Sequence, residues 1–380
     1  MFARFKRAEN IDRSRRYYVQ QDSTPAFALC EPKLIGTFDR LTPGMGSRQT
    51  RETANQKKGH STMIFKTRDA VVGLVVACSS VVFSWRATAD HKGDASLWQH
   101  DNLVAWCVVP FDAQHRGPEE RAQMLHQLGF KHFAYDWREK DIPTFDTEIE
   151  ALRKYGIDLI AWWFPFDADD PVAKQTLETF RRHHVRPQLW VMQSQKGSAE
   201  PKNPRQMTRE EQRQRVRHEA DRIHQLVRLA VPYGTKIELY NHNGWYGLVE
   251  NELAILARLQ ELGDTDVGIV YNLSHAHDDD HDDTANFPAL WARMQPHVVA
   301  VNITGMGPID QIIYPSQGSH ELNMMRIIEQ SGWKGPVGLI AEKGGDARVT
   351  LGNYMKGLDW LAAEIRQPNS GGPRPFPPVL

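Results

Sequence analysis

The chain has little cysteine. Cys30, Cys78 and Cys107 are the only three among 380 residues. An odd number so widely spread gives no disulfide framework and no metal-knuckle spacing. Charge of one sign is also lacking. Lys and Arg number 46 against 47 Asp and Glu, a formal net charge of −1. Nucleic acid as main partner is thereby excluded, because phosphate binding needs a clear basic surplus. No Gly-rich phosphate turn follows the first strand pattern, which argues against a dinucleotide-binding open sheet. The longest apolar run falls short of the ~20 residues of a membrane span. Aromatic residues, by contrast, are plentiful. Several of the 11 Trp stand at the ends of predicted strands. Carbohydrate sites use such platforms, and ordinary core packing explains them equally well.

Residues 1–62 are rich in Arg, Gln, Ser and Thr and show few periodic apolar positions. They read as a disordered or mis-called extension. From Met63 the pattern is a signal peptide over residues 63–89. Lys66 and Arg68 are the basic part, residues 70–85 the apolar run, and Ala87-Thr-Ala89 the cleavage box. Val75-Val-Ala-Cys78 also resembles a lipoprotein box, and a single membrane anchor is a further alternative. The expected location is periplasmic or secreted, with no stable membrane span after cleavage.

Over residues 97–366 the chain alternates short apolar runs with amphipathic stretches, eight of each. Strand patterns begin at Leu103, His132, Asp158, Pro187, Lys236, Val267, Val298 and Val337. Pro118 and Gly129 bracket the first helix, and Thr208 caps the long one after the fourth strand. The count and size predict an α/β fold, a (β/α)8 TIM barrel. Residues 367–380 form a Pro/Gly-rich tail that reads as loose.

A barrel of this kind carries its chemistry at the C-terminal strand ends. The fifth unit, Lys236-Ile-Glu-Leu-Tyr-Asn-His-Asn-Gly-Trp245, is the most telling. On a strand of period two, Glu238, Tyr240 and His242 share one face, and polar groups there must be paired or useful. The other strand ends offer Trp106, Asp136, Arg138, Trp163, Trp190, Asn272, His275, Asn302 and Glu342. Asp136 with Arg138 also reads as a rim salt bridge, and Asn302 as a loop cap. The run Asp278-Asp-Asp-His-Asp-Asp283 reads as a plain acidic loop, since its charges are adjacent rather than spaced around one ion.

Asn272-Leu-Ser-His275, Leu239-Tyr-Asn-His242, Val301-Asn302 and Ile340-Ala-Glu342 resemble the xylose isomerase-like barrel family, over roughly residues 100–365. That family includes sugar phosphate isomerases, epimerases and apurinic endonucleases. The resemblance implies a divalent cation held by Glu, Asp, His and Glu from strands five to eight. This chain departs from the pattern. Tyr240 stands at the first Glu, Asn272 at the Asp and Asn302 at the His, whereas His275 and Glu342 are kept. A remaining site of Glu238, His275 and Glu342 for one Mn, Zn or Co ion is the expectation. The family also forms homo-oligomers in some members.

The resulting expectation is a sugar isomerase- or epimerase-like enzyme, or a related lyase. It would act on a free sugar, glycoside or keto-sugar by proton abstraction next to a carbonyl. Glu342, Glu238, His242 and His275 are the expected catalytic groups. Trp106, Asp136, Arg138, Trp163, Trp190, Tyr240, Asn272 and Asn302 are the expected carbohydrate-binding ones. A glycoside hydrolase using Glu238 and Glu342, and a non-catalytic carbohydrate-binding barrel, are the alternatives.

Overall fold

The computed structural model describes residues 97–193, 206–242, 244–277, 282–308 and 311–379. The expected extension, signal peptide and most of the acidic loop lie outside them. Eight parallel strands form a closed barrel. They are β1 (Leu103–Trp106), β2 (His132–Tyr135), β3 (Asp158–Trp163), β4 (Gln188–Val191), β5 (Lys236–Tyr240), β6 (Gly268–Asn272), β7 (Val298–Ile303) and β8 (Val337–Ile340). Each is followed by a helix: α1 (Pro118–Leu128), α2 (Phe145–Lys154), α3 (Pro171–His183), α4 (Arg209–Ala230), α5 (Val249–Glu261), α6 (Phe287–Met294), α7 (Glu321–Gln330) and α8 (Ala347–Arg366). No described helix is long and apolar enough to cross a membrane.

Local chemistry sets the helix ends. Asp170 accepts from the Val172 amide at 2.8 Å at the start of α3. Thr208 and Glu211 cap α4 reciprocally, each accepting from the other's amide. Gly129, at φ 85°, ends α1 in the left-handed conformation that glycine adopts freely. The outer wall of the sheet packs aromatics against helices, with Trp162 edge-on to Phe145 and Phe180. Arg121 of α1 and Glu148 of α2 form a buried two-pronged ion pair, at 3.0 and 2.6 Å.

The barrel seam between β8 and β1 is fastened above the sheet. Asp112 accepts from the Ala347 amide at 3.1 Å and from Arg116, which also reaches Asp346. The C-terminal tail is not loose. Phe376 lies 4.9 Å from the Tyr314 ring, the Val379 amide donates to Gln317, and Arg374 donates to the Gly318 carbonyl. These contacts hold the segment that follows a two-residue hairpin pair, Gly305–Met306 with Ile312–Ile313.

Candidate active site

Inward-facing side chains close the middle of the barrel with aromatic rings. Trp106 and Trp190 have centroids 4.1 Å apart, Trp163 and Trp190 4.8 Å, and Trp190 stacks on Tyr240 at 6.1 Å and 7°. Trp106 fits because Gly338 faces it: a Cβ there would lie 2.7 Å from its Cζ3 and closer still to Cε3. Trp106 and Trp190 are fully buried, so they form the floor and not an open wall. Trp163 is half-buried and remains open to the cup above.

Beside the rings the floor is polar. The Asn272 amide donates to the Tyr240 hydroxyl at 2.7 Å, and Asn302 donates to Asn272 Oδ1 at 2.7 Å. Ser274 donates to the same Oδ1, and Asn241 clamps the Asn272 backbone from both sides. Asn302 Oδ1 is buried without a hydrogen-bond partner among the described residues. Burial pushes the Tyr240 phenol well above its usual range, so it is a neutral hydroxyl. Above it, His275 Nε2 lies 3.5 Å from that hydroxyl, and the His242 and His275 rings meet at 4.4 Å.

The other side of the cup is built on the ends of β1, β2 and β8. The Trp106 carbonyl accepts from the Ala341 amide at 3.0 Å, which brings Glu342 beside the end of β1. Asp136 reaches the same place from β2, accepting from the Val109 amide at 3.3 Å. Asp136 is 2% exposed and its Oδ2 has no hydrogen-bond partner among the described residues. Burial pushes its carboxyl up to about 7, against the pull of Arg138 and the Val109 amide. Burial and the Asp136 charge push Glu342 up to about 7 as well, again against Arg138. Cys107 sits between them with φ 49°, and burial together with both carboxyl charges keeps its thiol protonated. Arg138 makes no salt bridge with Asp136. Its Nη1 donates instead to the carbonyls of Asp136 and Trp137, at 2.8 and 2.9 Å.

Glu238 does not belong to this cup. It pairs in register with Trp190 and Gly268, a full strand period below Tyr240. Its carboxylate accepts from the Gly268 amide at 2.5 Å, and its charged neighbours are Lys236 and Asp266 at the barrel's opposite mouth. Burial pushes it up to about 8. The charged neighbours of Glu238 and Glu342 differ, so the structure does not bring Glu238 together with the groups beside which the sequence places it as base, cation ligand or glycosidase carboxylate. A cleft of about 320 Å³ lined by Gln114, Arg116, Gln123 and Arg348 lies on the outer wall and contains none of these groups.

No protein-family model matches the sequence, and no curated protein matches it. Solved structures do. One is a xylose isomerase domain protein from Alicyclobacillus acidocaldarius, at TM-score 0.50 and 12% identity, covering 70% of this chain and 99% of that one. The fold is that of the xylose isomerase-like TIM barrels. A fusion of such a barrel with a 4-hydroxyphenylpyruvate dioxygenase matches at TM-score 0.51 and 13% identity, over 74% of this chain and 46% of that one. A probable 3-DHS dehydratase from Bacillus anthracis matches at TM-score 0.50 and 12% identity, over 67% of this chain and 98% of that one.

Among the described residues the barrel does not assemble a cation site from the expected groups. Glu238 is at the wrong mouth. Among the described residues no group of three or more His, Cys, Asp or Glu side chains could hold a metal ion. Tyr240, Asn272 and Asn302, at the expected ligand positions, are tied to one another by the Asn272–Tyr240 and Asn302–Asn272 hydrogen bonds. Phenol and amides compare poorly with carboxylate and imidazole as ligands. Asn241 and Ser274 stand at strand ends that the sequence marks as site-forming, whereas Cys107 is not marked, although it stands just past the first strand.

Proposed function

We propose that the chain is a sugar isomerase- or epimerase-like enzyme, or a related lyase, acting on a free sugar, glycoside or keto-sugar. Glu342 takes the proton from the carbon next to a carbonyl. The observation that carries this reading is the placement of Glu342. It is a half-buried carboxyl at a strand end, raised towards neutral and beside a second carboxyl and a guanidinium. A base poised near the working pH is what proton abstraction needs. His275 and His242, on the far side of the cup, serve as partner acid. Trp163 offers an apolar face to the sugar, and the similarity in fold to a probable 3-DHS dehydratase lends support to the lyase form of the reading. The donor set at the described strand ends does not fit a metal ion, and the proton transfer uses the side chains alone.

The test is hydrogen exchange from carbon. A panel of 2-ketoses and aldoses in deuterated water would be followed by NMR with wild type and Glu342→Gln. Deuterium should enter the position next to the carbonyl with wild type, and about 10²-fold or more slowly with the variant, given the usual contribution of a general base. Full activity in Glu342→Gln removes the reading. Tight binding of a sugar without exchange favours the non-catalytic carbohydrate-binding barrel.

A further inference from the structure

An enolisation is helped by hydrogen-bond donors or positive charge at the oxygen that becomes anionic. A divalent ion would serve, but the ligand positions here hold Tyr240, Asn272 and Asn302, bound to one another. The cup has a cation elsewhere. Arg138 follows β2 and its Nη1 donates to the Asp136 carbonyl at 2.8 Å, at the strand end that the Val109 amide ties to β1, the strand on which the Ala341 amide seats Glu342. Its charge pulls down the carboxyls of Asp136 and Glu342 alike.

Arg138 is also fixed. Its amide donates to Asp141 Oδ2 at 2.9 Å, and the Asp141 amide returns a bond to the Arg138 carbonyl at 2.7 Å. Nη1 is anchored on two backbone carbonyls. Among the described residues Nε and Nη2 donate to nothing, and no carboxylate lies within ion-pair distance. Half-buried, the guanidinium keeps two donors in a rigid fork suited to an oxyanion. Lys343 does not compete for the role. Its ammonium donates to the Ile312 carbonyl at 2.6 Å and lies 4.9 Å from the Tyr314 ring, turned to the hairpin.

We infer that the Arg138 guanidinium faces the ligand's carbonyl oxygen and stabilises its charge while Glu342 removes the neighbouring proton. The C–H bond breaks and its proton passes to the Glu342 carboxylate. The electron pair forms a C=C bond, and the carbonyl pair moves onto the oxygen facing Arg138. No oxidant or reductant is needed. This inference rests on the proton-transfer reading above, so its test has an arm that needs no turnover.

Oxalate, a planar dianion shaped like the two oxygens of an enediolate, would be titrated into the EDTA-treated full chain by calorimetry. Arg138→Gln and Arg138→Lys would be treated alike, and circular dichroism would check their folds. One site is expected in wild type, weakened at least about tenfold in Arg138→Gln. Arg138→Lys, which keeps charge but loses the fork, should fall between them. No oxalate binding by wild type, or equal binding by Arg138→Gln, overturns the inference. The exchange assay is then run with EDTA. Wild-type exchange that survives EDTA and falls in Arg138→Gln supports the inference. Exchange that requires added metal overturns it and leaves the isomerase reading intact. Absence of exchange under both conditions removes the isomerase reading, and the oxalate result alone then decides whether Arg138 is an oxyanion site.

Discussion

Gly338 on β8 is the position where one methyl group should do most damage. Its Cα faces the Trp106 indole, and an added Cβ would meet Cζ3 at 2.7 Å and Asn302 Oδ1 at 3.1 Å. The indole cannot swing aside, because Trp163, Trp190 and Tyr240 surround it at centroid distances of 5.8, 4.1 and 5.8 Å. Overpacking a well-filled core costs ~1–3 kcal/mol. A rigid ring held on all sides puts Gly338→Ala at the top of that range, about 3 kcal/mol, or a Tm lower by about 6–10 °C. Urea and thermal unfolding would measure it. Trp106→Phe, which shortens the ring, should recover at least about 1 kcal/mol when combined with Gly338→Ala. Gly338→Ala within about 0.5 kcal/mol of wild type, or strict additivity in the double variant, would show that the indole is not seated there.

Three further outcomes are expected. Glu238 sits at about 8 in the folded chain against an ordinary 4.5, so the folded state holds this proton more tightly. The stability it brings is complete below about pH 4.5 and is lost as pH rises towards 8, and Glu238→Gln should flatten the fall in Tm between about pH 5 and 9. Arg121→Met leaves the buried Glu148 unpaired and should cost about 3–5 kcal/mol in urea unfolding, whereas Arg121→Met with Glu148→Leu should come within about 1 kcal/mol of wild type or exceed it. Phe376→Ala should speed amide hydrogen exchange across the hairpin and residues 314–318 as well as in the tail; faster exchange confined to residues 367–379 would show that the tail holds nothing in place.

The eightfold alternation was legible because strand and helix periods differ and turn residues separate them. The inward faces were legible too: Tyr240, Asn272 and Asn302 point where a period of two puts them. Depth along the barrel axis was not. Glu238 shares a face with Tyr240, yet two residues at ~3.3 Å each set it lower by about 6–7 Å, enough to place it under the aromatic floor. Period gives side and not height. The tail misled for another reason. Its Pro and Gly content reads as loose, but composition does not reveal that Phe376 has a ring waiting at Tyr314. Asp136 was found, but its relation to Glu342 depends on β2 and β8 both flanking β1, a neighbourhood that exists only once the sheet closes.

The clustered indoles of the floor also give the molecule an optical property. Three tryptophans at centroid separations of 4.1, 4.8 and 5.8 Å lie close enough for their excited states to couple. The coupling depends on their mutual angles, so the floor's geometry contributes to the circular dichroism of the folded chain, alongside other close pairs such as Trp291 with Trp333. Trp163 is the member of that trio half-open to the cup. A ligand resting on it would alter its emission, while Trp106 and Trp190 beneath stay fully buried. Occupancy of the cup can therefore be followed without any label.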